Sequence, residues 1–130
     1  MRIFCFSPFG YEGNLVTVEV DLRRGIPAVD IVGLADNAVK ESRERMKSAI
    51  INSGLLFPPE RVLISLSPAD LKKEGAGFDL AIALAVLSAK EESENENSAF
   101  QTEPILVIGE LELNGNIRPV KAIHAAAATA

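Results

Sequence analysis

The fold is decided by the stretch Gly25-Ile-Pro-Ala-Val-Asp-Ile-Val-Gly-Leu-Ala-Asp36, followed directly by Asn37-Ala-Val-Lys-Glu-Ser-Arg-Glu-Arg-Met-Lys-Ser-Ala-Ile-Ile-Asn-Ser-Gly54. Its first half predicts a strand at about residues 28–32, after a Gly-Ile-Pro turn. Its second half predicts an amphipathic helix, because apolar residues recur there at helical spacing. These residues are Val39, Met46, Ala49 and Ile50.

Both ends of this helix carry a local signal. Asp36 or Asn37 is placed to cap its first turn, since a short side-chain oxygen accepts a hydrogen bond from a free backbone N–H group. Gly54 is placed to end the helix in a left-handed conformation. On the outer face, Glu41 precedes Arg45 by four residues, a spacing that favours a weak ion pair.

Strand patterns flank this unit on both sides. Residues 2–6 and 15–22 are rich in branched and aromatic side chains, and the glycines and proline between them predict a hairpin. Further strands are predicted at 61–66, 105–108 and 111–113, with Asn114-Gly115 as a two-residue hairpin turn. An apolar helix at 80–89, capped by Asp79, and a helix at 122–130 complete the elements. The order predicts an α/β (α+β) domain with a mixed sheet and packed helices.

The bulk composition predicts one domain over residues 1–130. The chain has no uninterrupted apolar run near 18 residues and no signal-peptide pattern, so we expect a cytoplasmic protein with no membrane partner. The helix at 122–130 has no stop signal, which predicts a fragment of a longer protein. Cys5, the one cysteine, is expected to be a buried strand residue.

The net charge of −5 is concentrated in one segment. Residues 91–103 hold five of the 18 acidic residues and none of the 13 basic ones. Because Glu, Ser and Asn bury little apolar surface, we predict an acidic flexible loop over about residues 90–103. The remaining residues are balanced in charge, so a basic face has to be judged locally.

The decisive stretch, together with Ser67-Pro-Ala-Asp-Leu-Lys-Lys-Glu-Gly-Ala-Gly-Phe-Asp79, resembles the amino-terminal domain of the magnesium-chelatase-like AAA+ proteins, the ComM/YifB group. The resemblance implies a Lon-peptidase-like domain of the ribosomal-protein-S-five second-domain type. It also implies that ATP and magnesium bind in a following AAA+ module, with no cofactor in this chain. Full-length relatives resemble hexameric DNA helicases that act in branch migration during natural transformation, and a similar domain occurs in recombination proteins of the RadA type.

Lon-type peptidases use a serine activated by a lysine of lowered pKa. Aligned with the Lon-type turn, Gly77 stands at the serine position, and His124 stands at the lysine position. Neither residue supplies the chemistry, so the resemblance implies degenerate dyad positions and no enzymatic activity in this chain. Pairing Ser67 or Ser88 with Lys72 or Lys73 would need a different geometry. A Ser-Lys peptidase remains the alternative.

Nucleotide binding is a further alternative, because Gly75-Ala-Gly77 precedes a helix and free N–H groups at a helix start attract anions. The segment lacks the Lys-Ser/Thr ending of a P-loop, and Asp79 would repel a phosphate. His124, the one histidine, lacks partner ligands for a metal ion, so no metal site is predicted.

Two groups of basic residues are candidates for DNA binding, because phosphates favour positive charge without reading sequence. They are Lys40, Arg43 and Lys47 on one side of the first helix, with Arg45 nearby, and the pair Arg23 and Arg24. The alternative is a solvated helix face neutralised by Glu41 and Glu44. We therefore expect a non-catalytic accessory domain that assists assembly of the homo-oligomer with its own AAA+ module, contacts DNA, or does both.

Overall fold

A mixed five-stranded sheet forms the centre of the computed structural model, which describes residues 3–7, 14–33, 35–68, 73, 77–94 and 105–118. The elements in chain order are β1 (Ile3–Ser7), β2 (Asn14–Arg23), β3 (Ala28–Val32), α1 (Asn37–Asn52), β4 (Arg61–Ser67), α2 (Asp79–Glu94), β5 (Ile105–Leu106), β6 (Glu110–Leu111) and β7 (Ile117–Arg118). The sheet order is β3-β4-β2-β1-β5, and β6 with β7 forms a separate hairpin.

The sheet mixes both strand directions, as predicted. β2 runs antiparallel to β1 and β4, whereas β3 is parallel to β4 and β5 is parallel to β1. The β1–β2 pair confirms the predicted hairpin, and β3 begins and ends where the sequence pattern places it.

Alternating side chains put the core on one face of this sheet. Val16 and Val18 of β2 are buried, while Glu19, which follows Val18, is exposed. β4 repeats the pattern with Val62, Ile64 and Leu66, all fully buried. Both helices pack on the strands from this side, α1 on β3 and α2 on β2 and β1. The described residues therefore form two layers, with the core between helices and sheet.

Helix α1 begins and ends as its sequence predicts. The Asp36 side chain caps it by accepting a hydrogen bond of 2.8 Å from the Val39 backbone N–H. At the other end, Gly54 has φ +82°, and its N–H donates to the Ile51 carbonyl at 3.1 Å. The Leu55 N–H donates to the Ile50 carbonyl at 3.2 Å, which completes a Schellman motif.

Helix α2 differs from the prediction at both ends. Its first hydrogen bond runs from the Ile82 N–H to the Phe78 carbonyl, so Asp79 lies inside the first turn, and its carboxylate faces neighbouring elements. At the far end α2 continues to Glu94, so residues 90–94 of the predicted acidic loop are helical. The rest of that segment, 95–103, lies outside the described residues. No helix in the described part of the chain is both long and apolar enough to cross a bilayer.

The β6–β7 hairpin has shorter strands and a longer loop than the sequence predicts. The Glu112 N–H donates to the Asn116 carbonyl, which encloses three loop residues instead of two. Gly115 has φ +98°, and this fits a type I turn followed by a bulge, where the last loop residue is left-handed. In place of the predicted strands at 105–108 and 111–113, the structure has the two-residue strands β5 and β6. The predicted helix at 122–130 lies outside the described residues.

Candidate functional site

The turn that carries Gly77, which the resemblance aligns with the serine of Lon-type peptidases, is tied to the residues around Gly109 by backbone hydrogen bonds. The Gly109 N–H donates to the Gly77 carbonyl at 3.1 Å, and the Leu80 N–H donates to the Gly109 carbonyl at 3.0 Å. A Cβ atom on Gly109 would lie only 3.1 Å from Leu80 and 3.2 Å from Ile117, so glycine permits this close approach. His124, which the resemblance aligns with the lysine of the dyad, lies outside the described residues.

Beside this turn lies a buried polar cluster formed by Asp79, Ser42 and Arg45. The Asp79 carboxylate is fully buried and accepts hydrogen bonds from the Ser42 hydroxyl, from two guanidinium nitrogens of Arg45 at 2.7 and 3.0 Å, and from the Leu111 N–H at 3.0 Å. Hydrogen bonding to Asp79 raises the pKa of Arg45 above its usual value. One carboxylate therefore joins α1, α2 and β6.

The Ser42 hydroxyl is fully buried and donates to Asp79, so this cluster is closed to a substrate. Serine nucleophiles need an accessible hydroxyl and a base. Asp79 instead has its acceptor positions occupied by structural donors, so the cluster is suited to holding elements together.

Cys5 lies below the Gly77 turn, with its sulfur 3.5 Å from the Gly77 carbonyl oxygen. Burial raises the pKa of the Cys5 thiol to about 12, and the negative charge of Asp79 adds to this effect. Because the thiolate is the reactive form of cysteine, the raised pKa and the full burial of Cys5 disfavour reaction of this thiol in the folded chain. The expectation of a buried strand residue is confirmed.

Of the two lysines considered for an alternative serine–lysine pair, Lys72 and Lys73, only Lys73 is among the described residues. It is fully buried, its ammonium group donates to the Pro68 carbonyl, and its own carbonyl accepts from the Asp36 N–H at 2.9 Å. Ser88, also buried, lies in α2. Lys73 thus anchors the start of α1.

The basic residues of α1 form one stripe on its outer side. Lys40, Arg43 and Lys47 are all exposed and fall within an arc of about 60° at about 100° per residue. Lys47 lies over the Phe57 ring, 5.6 Å from its centroid. We call these three residues the basic stripe.

Arg45, which the sequence places near the three stripe residues, does not belong to the basic stripe. It lies on the opposite flank of α1, its side chain is only 20% exposed, and it pairs with Asp79. The predicted partner Glu41 is a weaker second contact at 3.5 Å. A long-range carboxylate therefore holds this cation, because a desolvated, hydrogen-bonded pair is stronger than an exposed one.

Arg23 and Arg24 lie elsewhere, at the end of β2. Arg23 stands opposite Arg61 on β4, a cross-strand pairing of like charges. Each guanidinium is offset by a carboxylate, Arg23 by Asp21 at 2.6 Å and Arg61 by Asp30 at 3.2 Å. Sequence reasoning missed Arg61, because only the strand register places it beside Arg23.

An apolar surface lies on the side of the helices that faces away from the sheet. We call it the apolar outer face, and its residues are Leu55, Leu56, Leu80, Leu84, Leu87 and Ile117. Leu56 is 77% and Ile117 is 60% exposed. A groove of about 120 Å³ runs through it between α1, α2 and the β6–β7 hairpin. One feature of the sequence pointed to this face: the helix predicted at 80–89 has no polar side.

Comparison with known proteins identifies a family and several relatives of this chain. Residues 18–130 match the family model described as subunit ChlI of Mg-chelatase. The protein YifB of Salmonella typhimurium is 44% identical over 114 residues, which cover 88% of this chain and 22% of that protein. The competence protein ComM of Haemophilus influenzae is 36% identical over 121 residues, covering 93% of this chain and 23% of that protein.

The chain therefore belongs to the magnesium-chelatase ChlI family, and it is similar to YifB and ComM. It spans less than a quarter of the length of these two relatives. In the part of the chain that the structure describes, no three potential metal-ligating side chains come together.

Proposed function

We propose that this chain is a non-catalytic accessory domain of a magnesium-chelatase-like AAA+ ATPase, and that it assists assembly of the parent oligomer. The apolar outer face carries this proposal. Large apolar patches are uncommon on monomeric proteins, and they usually mark an interaction surface. Leu55, Leu56 and Ile117 are each about half exposed or more. Leu55 and Ile117 line the groove, and Leu56 lies beside it next to Leu55 and Leu87.

The absence of catalysis is supported by the chemistry around Gly77. Its peptide group is engaged with Gly109, glycine supplies no nucleophile, and the nearby Ser42 hydroxyl is buried against Asp79. A serine-directed phosphonate is the direct probe. We expect no covalent labelling of the folded chain, and labelling of any serine would restore the peptidase alternative.

The relatives support a parent that is much longer than this chain. We propose that ATP and magnesium bind in an AAA+ module beyond residue 130, and that the accessory domain packs against that module or its copies. The similarity to ComM, a competence protein, supports a parent role in DNA processing. A GxxxxGK[ST] motif in the following few hundred residues would establish the ATPase, and a parent without one would remove it.

DNA contact by this domain is the second candidate, and the exposed basic stripe favours it. Arg23 and Arg24 lie on a different part of the surface, and Arg23 is already paired with Asp21. Glu41 and Glu44 share the helix with the basic stripe, which lowers the local positive potential. The evidence for DNA contact is therefore weaker than the evidence that the apolar outer face gives for assembly.

Sedimentation of the chain, alone and with single-stranded or branched DNA at low salt, separates the two candidates. Assembly predicts self-association without DNA, whereas DNA binding predicts a salt-sensitive complex. Self-association with no detectable DNA binding would leave assembly as the function. A chain that stays monomeric and binds DNA would reverse the order of the candidates.

A further inference from the structure

β3 is an edge strand among the described residues. It pairs with β4 on one side, and no described strand lies on its other side. In a parallel pair each strand uses the backbone groups of alternate residues, so the other set of N–H and C=O groups in Ala28–Val32 points outward. Such an edge is a template for one more strand.

The basic stripe lies above this open edge. Arg45 and its partner Asp79 fix the side of α1 that faces α2, and Lys40, Arg43 and Lys47 lie on the opposite flank. Since α1 packs on β3 while α2 packs on β2 and β1, the flank away from α2 is the flank beyond the edge of the sheet. The two features therefore form one surface.

The charges on this surface are available for a partner. Among the described residues, Lys40 and Arg43 make no ion pair, and Glu44, four residues after Lys40, makes none either. Asp30 of β3 is engaged by Arg61 at 3.2 Å. An acidic partner would thus meet unpaired cations along α1 without displacing an existing pair.

We propose that this open edge and the basic stripe bind an extended acidic peptide, which adds a strand beside β3. Lys40 and Lys47 are about 10 Å apart along the helix at 1.5 Å per residue. Alternate residues of a strand recur on one face about every 6.7 Å, so two or three alternate acidic side chains span the stripe. The proposal does not depend on what the apolar outer face binds.

The probe is a synthetic peptide that alternates Glu and Val, titrated against the 130-residue chain. We expect the double variant K40E/R43E to weaken binding by about tenfold or more, because two attractive contacts become repulsive. The variant R23E/R24E makes the same change in net charge on another surface, and it is expected to change the affinity by less than about twofold. Equal loss in both variants would contradict the assigned site.

Backbone pairing is tested with the peptide itself, so the protein fold is not disturbed. Two versions carry N-methyl groups on opposite sets of alternate residues. A strand beside β3 points only one set of its N–H groups at the protein, so one version should lose binding and the other should keep it. Equal binding by both versions, or displacement of the peptide by an oligonucleotide of equal charge at equal concentration, would overturn the proposal in favour of a polyanion surface.

Discussion

Asp79 shows how one residue holds several elements in place. Its carboxylate is fully buried in the first turn of α2 and accepts from α1 and β6. A buried carboxylate is stabilised only when donors replace water, and here Ser42, Arg45 and Leu111 supply them. From the sequence, Asp79 was predicted only as a helix cap. Its buried partners were missed because they lie 32 to 37 residues away, and a local pattern contains no information about them.

Replacing Asp79 with alanine should lower the free energy of unfolding by about 3–5 kcal/mol, because Arg45 and the Leu111 N–H lose their buried partner. Urea denaturation measures this change. The control is Glu41→Ala, which removes only an exposed contact of 3.5 Å and should cost less than about 1 kcal/mol. A similar small loss for Asp79→Ala would contradict the structural role of the cluster.

Cys5 makes a prediction about reactivity and pH. The folded thiol has a pKa of about 12 against an ordinary value of 9.0, so the fold favours the protonated form. Its contribution to stability is present below pH 9 and is lost as pH rises towards 12. At pH 8, iodoacetamide should label the denatured chain and leave the folded chain unlabelled. Rapid labelling of the folded chain would show that the thiol is accessible.

At the scale of elements, the β3–α1 unit depends on a close approach at Gly33. Gly33 has φ +111°, and a Cβ atom there would overlap the carbonyl oxygen of Leu66. Gly25 also has positive φ, +148°, but a Cβ atom there would meet nothing within 4 Å. A side chain at either position would therefore strain the backbone, but only a side chain at Gly33 would also overlap another residue.

Replacing Gly33 with alanine should therefore destabilise the fold by more than about 3 kcal/mol, since strain and overlap add. The matched change Gly25→Ala should cost about 1–3 kcal/mol from the backbone alone. Thermal melts of both variants give the comparison. Equal losses would mean that β4 moves to accommodate the extra methyl group.

Prediction from sequence succeeded where both ends of an element carry local signals. Helix α1 has a capping aspartate and a terminal glycine, so its bounds followed from Asp36 and Gly54. The predicted two-residue turn between β6 and β7 was wrong, because Glu112 and Asn116 pair with each other and enclose a loop of three residues. The candidate site was predicted only in part: the basic stripe followed from helical spacing, whereas Arg45 turned inward to a partner that spacing does not reveal.

At the scale of the whole molecule, the two layers that the described residues form leave the outer side of the helices without a covering layer among those residues. Leu80, Leu84 and Leu87 of α2 therefore meet the exposed Leu55 and Ile117 on this side. An apolar contact is little affected by salt, whereas contacts of the basic stripe are screened over a Debye length of about 10 Å at 0.1 M. The two surfaces are thus separable by ionic strength.

Raising the salt concentration from about 0.05 M to about 0.5 M should leave self-association unchanged or stronger, and should weaken peptide binding at the basic stripe. Analytical ultracentrifugation and peptide titration in the same buffers measure both. Self-association that disappears at high salt would indicate that charged residues, and not the apolar outer face, hold the copies together.

The most direct measurement of the central claim is sedimentation velocity over about a hundredfold range of chain concentration, with the double variant Leu56→Ser/Ile117→Ser. Both side chains are more than half exposed, so the variant should fold normally and remain monomeric where the unaltered chain associates. The control Ile26→Ser changes a side chain that is 86% exposed outside this face and should associate like the unaltered chain. An unaltered chain that is monomeric throughout, or a double variant that associates equally well, would contradict assembly through the apolar outer face.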